Sequence, residues 1–369
     1  MKVLLVSGSL APMRCGVGDY TLQLARALSA IPGIEVAVLT SSGARPNSDG
    51  GVQVLPVMDR WALTEAKTLF ESVGRFAPDI LHIQYPTQGY RSGRLPMLIP
   101  LLAAAMGVRV VRTWHEIPTL IAPSFALEAI APGPFISVRP GYRKMLHPLM
   151  RRLIRNKQGG FVAGASSIPR SLASNEQRHQ LRNRLLNGKD RLIVFFGFLY
   201  PFKGAEYLFE IADPVTDQIV IAGEGGVDDS YSKLIQRLAN DTPWRGSVAM
   251  TGFLSDHDTA DLLAAADAVV LPFRNGGGIW NSSISAAVRQ GTPVVATSKD
   301  APGLDSKRNL YFAPLDDIAD MKAALNRMAG RRRAFDPEID RDEWRDIAER
   351  HIAIYQGVAE DRLPPSARR

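Results

Sequence analysis

Along most of this chain, short uninterrupted apolar runs alternate with longer stretches in which apolar positions recur every three or four residues. The first pattern belongs to strands buried on both faces, the second to helices with one covered side. The runs predict strands at Val3–Val6, Glu35–Leu39, Val52–Pro56, Ile80–Gln84, Val108–Thr113 and Phe161–Ala163, with helices at Val17–Ala30, Ala62–Phe76 and Pro96–Met106. The grammar restarts at Leu192–Phe196 and continues through Ile219–Ala222, Val248–Thr251, Ala268–Pro272, Val294–Thr297 and Leu310–Phe312. A helix follows at Asp317–Ala329, then a closing helix at about Arg341–Val358, and the tail Leu363–Arg369 is expected to be disordered. Such alternation predicts an α/β protein with two Rossmann-like, doubly wound parallel sheets facing a central cleft. The polar stretch Ser166–Asn187 is the expected interdomain connection, giving divisions of 1–170, 171–340 and a closing segment 341–369.

Length agrees, because 369 residues exceed what one core usually supports, roughly 250–300 residues. A single cysteine, Cys15, leaves no intramolecular disulfide and points to a reducing cytoplasm. Met1 and Lys2 run directly into a strand pattern, so no secretory leader is expected. The longest uncharged apolar stretch, Leu95–Val108, holds two prolines and falls short of the ~20 residues that span a bilayer. The formal charge of +7 implies anionic partners without naming them. In Tyr142–Lys157, six Lys or Arg residues interleave with Met145, Leu146, Leu149, Met150, Leu153 and Ile154. That pattern fits a helix lying on an anionic membrane and equally a solvated helix packed on its own domain. No recognised nucleic-acid motif accompanies the charge, and nucleic acid is not an expected partner.

The candidate chemistry gathers at strand ends. From Ala268 to Lys299 there is no Asp or Glu, and a strand feeds Arg274 and the glycine loop Gly276, Gly277 and Gly278 before Asn281, Ser282 and Ser283 open a helix. Free N–H groups and the helix dipole make such a junction an anion site. The alternative is an ordinary β–loop–α turn. A second glycine loop, Gly8–Asp19, places Gly16, Val17, Gly18 and Asp19 at a helix start. Its glycines lie too far from the strand for a dinucleotide fingerprint, so a mobile, substrate-facing loop is expected instead. His115 and Glu116 follow a strand directly, where side chains face a ligand crevice; with no second His or Cys at ligand spacing, His115 is read as a polar contact, the alternative being a structural histidine, and no metal is expected. Lys203 is placed at a helix opening, where a cation helps stability little and a phosphate would explain it; the alternative is a solvated surface lysine. In Asp256–Asp258, two acids beside Ser255 read as a capped helix start rather than a metal site.

Taken in order, these pieces resemble the retaining glycosyltransferases of the GT-B fold, family 4 type. The likeness runs through GVGDY (Gly16–Tyr20), PDILHIQYP (Pro78–Pro86), TWHE (Thr113–Glu116), FFGFLYPFKG (Phe195–Gly204), IAGEG (Ile221–Gly225), Thr251–Phe273, Ala286–Thr297 and the closing helix with Trp344, His351 and Tyr355. It implies an acceptor-binding first domain, a second domain binding the nucleotide-sugar donor, and a closing helix that crosses back to the first. Lys203, Gly204, Gly277, Gly278, Asn281, Ser282, Ser283, Arg274 and Glu224 would hold the donor. His115 and Lys203 would be catalytic, and Gly16, Val17, Gly18, Asp19, Gln84 and Glu116 would face the sugar or acceptor. The implied substrate is a nucleoside-diphosphate sugar, UDP or GDP type, with a sugar or lipid-linked sugar as acceptor and no cofactor.

The chain departs from that pattern in two places. Aligned on Gly291, the family's two donor-site glutamates fall on Gly278 and Ala286, and its arginine after the opening strand falls on Phe198. Arg274 is the expected substitute charge. Two other functions share these features: a sugar-nucleotide-processing enzyme such as an epimerase, and a glycosyltransferase-like scaffold without activity.

Overall fold

The computed structural model describes residues 1–45, 51–117, 123–225 and 230–360. The chain divides into two compact units, Met1–Gly164 with Asp342–Arg369, and Ala165–Arg341.

The first unit holds a seven-stranded parallel sheet: β1 (Lys2–Val6), β2 (Glu35–Ser41), β3 (Gln53–Met58), β4 (Ile80–Tyr85), β5 (Val110–Trp114), β6 (Phe135–Ser137) and β7 (Gly159–Phe161). Their order is β3-β2-β1-β4-β5-β6-β7. The second unit repeats the plan with β8 (Arg191–Phe196), β9 (Asp217–Ala222), β10 (Val248–Gly252), β11 (Ala268–Leu271), β12 (Val294–Thr297), β13 (Gly303–Asp305) and β14 (Leu310–Ala313). Here the order is β10-β9-β8-β11-β12-β14-β13, and only β13 runs antiparallel, to β14. In both sheets the winding reverses beside the first strand, between β1 and β4 and between β8 and β11. Loops diverge from the carboxyl ends of the strands at such a reversal and leave a crevice for a ligand. The central strands are apolar on both faces because helices cover both, and Val3–Val6, Val194, Phe195 and Val269–Leu271 have no exposed surface.

Several sequence expectations shift. The strand expected at Phe161–Ala163 lies at Gly159–Phe161, and β6 and β13 are additional strands. Ser166–Asn187 is not simply a connection, since Asn175–Leu185 is a helix opened by a capping box. Ser174 Oγ accepts from Gln177 N–H at 3.2 Å, and Gln177 Oε1 accepts from Ser174 N–H at 2.8 Å. Arg182 ties this helix to Asp267 at 2.8 Å. The second unit begins ahead of residue 171 because Ser171 N–H bonds Gln290 Oε1 at 2.9 Å and Arg170 reaches Asp340 at 3.4 Å.

The closing helix, Trp344–Glu360, belongs to the first unit. Trp344, Ile347, Ala348, His351 and Tyr355 recur at helical spacing and are buried. Tyr20, on the Gly16–Ser29 helix, meets the Trp344 ring edge-on at 5.2 Å.

The segment Tyr142–Lys157 is not one helix. It forms two short pieces, Tyr142–Met145 and Pro148–Leu153. Pro148 lacks an N–H and suits only a first turn, so the helix restarts there, with His147 as its cap. Tyr142, Leu146, Met150 and Ile154 are buried, in one cluster with Trp114 and Phe135. Arg143 is turned inward onto the carbonyls of Ile154 and Lys157, and the Lys157 ammonium donates to Ala131 O. Lys144, Arg151, Arg152 and Arg155 stay outside with Met145, Leu149 and Leu153. Among the described residues, no helix is long and apolar enough to cross a membrane.

Candidate functional site

In the second unit, two loops leave the sheet at the β8/β11 reversal. The first passes Gly197, whose φ is +138°, and ends a 3₁₀ turn, Pro201–Lys203. Lys203 therefore closes a short turn rather than opening a helix, as the sequence pattern suggested. Its ammonium stands 4.8 Å from the centre of the Phe273 ring. A Cβ built on Gly197 would lie 3.3 Å from Ser283 Oγ and 3.8 Å from Lys203 Nζ. A cation and a hydroxyl thus converge on one bare stretch of backbone. Gly223 must also be glycine, since its Cβ would come within 1.9 Å of Gly197 O. Beside it Glu224 is half-buried, and its carbonyl accepts from Leu199 N–H at 3.1 Å.

The second loop corrects the expected role of its glycines. Gly276 N–H bonds Phe273 O at 3.0 Å, Gly277 N–H bonds Thr297 O at 2.7 Å, and Gly278 N–H bonds Asn281 Oδ1 at 2.9 Å. All three donors are committed within the protein, so the loop does not offer them to a ligand. The glycines make room for rings instead. A Cβ on Gly277 would stand 2.5 Å from the Phe273 ring, and one on Gly278 would stand 2.1 Å from that of Trp280. The Trp280 indole N–H is buried with no partner among the described residues. Asn281 precedes the Ser282–Arg289 helix, but its side chain caps the loop and not the helix. Ser285 N–H, to Asn281 O at 3.0 Å, is the first to bond back, which leaves Ser282, Ser283 and Ile284 ahead of the ladder. Ser282 is exposed and Ser283 buried.

Arg274 is already paired. Its guanidinium bonds Glu206, Nε at 2.8 Å, and Glu206 also accepts from the Tyr231 hydroxyl. A cation so neutralised does not replace a missing charge by itself. The acids of Asp256–Asp258 belong to a helix start: Ser255 Oγ accepts from Asp258 N–H at 3.1 Å. Gly204, at the turn after Lys203, adopts φ +68°.

In the first unit, His82 and Gln84 share one face of β4, and Thr113 lies opposite Gln84 in β5. His115 follows β5, held by its N–H to Tyr85 O at 2.9 Å. The side chains form a chain: His115 Nε2 to Gln84 Oε1 at 2.9 Å, Gln84 Nε2 to His82 Nε2 at 3.2 Å, and His82 Nδ1 to Tyr355 Oη at 2.7 Å. Thr113 Oγ1 stands 2.7 Å from His82 Nε2. His351 Nδ1–H donates to Ile347 O at 2.7 Å. Burial disfavours an imidazolium here, and His351 adds repulsion at His82 and His115: His82 is held well below its ordinary range, His115 falls to about 3, and His351 falls to about 4 through burial, against its bond to Ile347 O. All three are neutral at physiological pH.

Glu116, next to His115, is exposed. Gly16 opens its helix with open space around it, whereas Gly18 packs so closely that a Cβ would meet Ser9 O at 2.6 Å. Val17 O accepts from Thr21 Oγ1 at 2.6 Å, and Asp19 N–H bonds Cys15 O at 3.0 Å. The Gly8–Asp19 loop is anchored rather than loose: Arg45 N–H bonds Ala11 O at 2.7 Å and Gly89 N–H bonds Ser9 Oγ at 2.8 Å. His82, Thr113, Gly197, Glu206 and Trp280 were not among the residues singled out from sequence. His82, Thr113 and Gly197 left a trace there, inside PDILHIQYP, TWHE and FFGFLYPFKG, without a role of their own.

Two parallel sheets of Rossmann order, with a lysine and a helix N-terminus at the reversal of the second, define the GT-B architecture of nucleotide-sugar enzymes. Residues 15–165 match the family described as glycosyl transferase 4-like domain, and residues 190–330 match glycosyl transferases group 1. The two matches span most of the chain, and the protein belongs to the family 4 glycosyltransferases. No curated protein sequence matches it. Among solved structures, it is similar to sucrose-phosphate synthase from Thermosynechococcus elongatus, with 16% identity over 97% of this chain and 96% of that one and a TM-score of 0.68. It is also similar to HepE from Anabaena in complex with UDP and glucose, with 14% identity over 98% and 99% and a TM-score of 0.67. The catalytic domain of starch synthase IV from Arabidopsis thaliana, bound to ADP and acarbose, gives 14% identity over 97% and 99% and a TM-score of 0.70.

Proposed function

We propose that the protein is a retaining glycosyltransferase that moves a sugar from a nucleoside-diphosphate sugar, UDP or GDP type, to the hydroxyl of a sugar or lipid-linked sugar. The observation that carries this reading is the convergence of Lys203 Nζ and Ser283 Oγ on the backbone at Gly197, at the reversal of the second sheet. A departing diphosphate needs charge stabilisation as the sugar becomes oxocarbenium-like. A fixed ammonium, a hydroxyl and the first N–H groups of a helix supply it without reorganising. In this reading the second unit holds the donor, with Lys203 and the Ser282–Ile284 N–H groups on the diphosphate. The glycines act by admitting Phe273 and Trp280, and no resident metal is assigned.

Gly278 and Ala286 stand where the family carries glutamates. The reading therefore uses no carboxylate base: in transfer with retention, a diphosphate oxygen takes the proton of the attacking hydroxyl. His115, neutral and half-buried, faces the sugar. The first unit takes the acceptor, with the Gly16–Asp19 helix start, Gln84 and Glu116 beside it. Outward Lys144, Arg151, Arg152 and Arg155, interleaved with exposed Met145, Leu149 and Leu153, favour docking on an anionic membrane, which suits a cytoplasmic enzyme of polysaccharide or glycolipid assembly working at the inner face.

Thermal-shift titration with UDP, GDP, TDP and ADP tests the donor assignment, since a ligand at 100 times its Kd stabilises by about 2.7 kcal/mol. Radiolabelled transfer to an acceptor then separates the three functions. Free sugar or nucleotide without transfer would indicate the epimerase-like alternative, and binding without turnover the inactive scaffold.

A further inference from the structure

We propose that Tyr355 on the closing helix and His82 inside the sheet are positioning residues that decide which ring nitrogen of His115 carries its proton. The proposal rests on the reading of His115 as the group that faces the sugar.

The donors along the chain run in one direction. Gln84 Oε1 can only accept, so the His115 nitrogen 2.9 Å away, Nε2, must bear a hydrogen. The Gln84 amide nitrogen can only donate, so His82 Nε2, at 3.2 Å, must be bare. Thr113 Oγ1 can donate to the same nitrogen. A neutral imidazole bare at Nε2 carries its hydrogen on Nδ1, which donates to Tyr355 Oη at 2.7 Å. His115 then presents a lone pair at Nδ1, and no partner engages that atom among the described residues. A neutral imidazole in this tautomer accepts a hydrogen bond from a hydroxyl, as a sugar would offer, and cannot donate one from that side.

Removing the phenol oxygen reverses the chain. In Tyr355→Phe, His82 Nδ1–H loses its acceptor inside a buried site, while a hydrogen on Nε2 would find Thr113 Oγ1 at 2.7 Å. His82 changes tautomer, and its Nε2–H now faces an amide N–H. The Gln84 amide turns over to accept it and directs its own N–H groups at His115 Nε2. That nitrogen must become bare, and His115 moves its hydrogen to Nδ1. One oxygen lost on the closing helix converts the open face of His115 from acceptor to donor.

The test is ring-nitrogen NMR on the full-length protein labelled at histidine, with the His115 signals identified by their loss in His115→Asn. The wild type should show His115 neutral with its hydrogen on Nε2. Tyr355→Phe should move it largely to Nδ1, and lower kcat for transfer about tenfold with the donor KM little changed. In Gln84→Leu, which cuts the chain, adding Tyr355→Phe should leave His115 as Gln84→Leu alone sets it. Hydrogen on Nδ1 in the wild type overturns the proposal, whatever the variants do. So does a Tyr355→Phe protein in which His82 responds and His115 does not. Titration with UDP-glucose separates the two layers: a relay that behaves as described around a His115 ring unmoved by saturating nucleotide sugar supports the relay and removes His115 from the sugar.

Discussion

Lys203→Ala should cost this enzyme about a hundredfold in kcat/KM. Lys203 Nζ lies 3.8 Å from the point that a side chain on Gly197 would occupy, so an anionic oxygen resting on that backbone comes to about 4 Å from the ammonium. At an effective dielectric near 20, two unit charges at about 4 Å interact by roughly 4 kcal/mol. Lys203 is half-buried, and solvent screening discounts this to about 3 kcal/mol, close to two decades in rate. The loss should fall mainly on kcat, because negative charge on the diphosphate grows as the bond to the sugar breaks, with a smaller weakening of nucleotide binding. Initial-rate kinetics with the cognate nucleotide sugar, beside calorimetric titration of the free nucleotide, divides the two effects. The substitution also removes the ammonium from its place 4.8 Å from the centre of the Phe273 ring, so folding is checked beside the kinetics. A folded Lys203→Ala protein with kcat/KM within twofold of wild type would refute the convergence at Gly197 as a diphosphate seat.

The loop glycines give a second expectation: Gly278→Ala should weaken nucleotide-sugar binding at least tenfold by displacing the Trp280 ring, and Trp280→Ala in the same chain should recover much of it. If Gly278→Ala binds as the wild type does, the ring is not held against that backbone. Binding to acidic vesicles should fall steeply with salt and be lost in Leu149→Ser/Leu153→Ser, whereas equal partitioning onto neutral vesicles would return this face to plain solvation. Acid should destabilise the first unit through its histidines. Their folded values lie below the unfolded value of about 6.5, so their contribution is whole above that pH and drains as pH falls toward 4, by up to about 1.4 kcal/mol per pH unit for each. Urea unfolding at pH 7, 6 and 5 measures this, and a flat midpoint over that range would contradict three imidazoles held neutral.

Much of the architecture was legible in the order of apolar runs, because strands covered on both faces must be apolar throughout. The exceptions have physical causes. Phe135–Ser137 and Gly303–Asp305 have three residues each, too few to show a pattern, and become strands only through their neighbours in the sheet. Ser166–Asn187 looked like a linker because its helix buries little and is held by charge, Arg182 on Asp267. The basic segment showed helical spacing, and Pro148 divided it. At the site, Lys203 and Ser283 could be named from their loops, but not the point on which they meet. The glycine N–H groups were read as available because their acceptors, Phe273 O and Thr297 O, are brought in by the fold. The partnership of His82 with Tyr355 joins positions 273 apart in sequence, and no local pattern reports it.

The helix that completes the first unit is encoded after the whole of the second. At about 5–20 residues per second, the ribosome finishes Met1–Gly164 roughly ten seconds to more than half a minute before Trp344–Tyr355 exists. During that interval the polar face of β4, with His82 and Gln84, waits without its cover, and Tyr20 lacks the ring of Trp344. A stalled or clipped chain that ends before Trp344 lacks the same two contacts. Maturation of the histidine cluster therefore waits for synthesis of the Trp344–Glu360 helix, so a polypeptide cut short before that helix should be cleared by proteolysis rather than persist as a half-built enzyme.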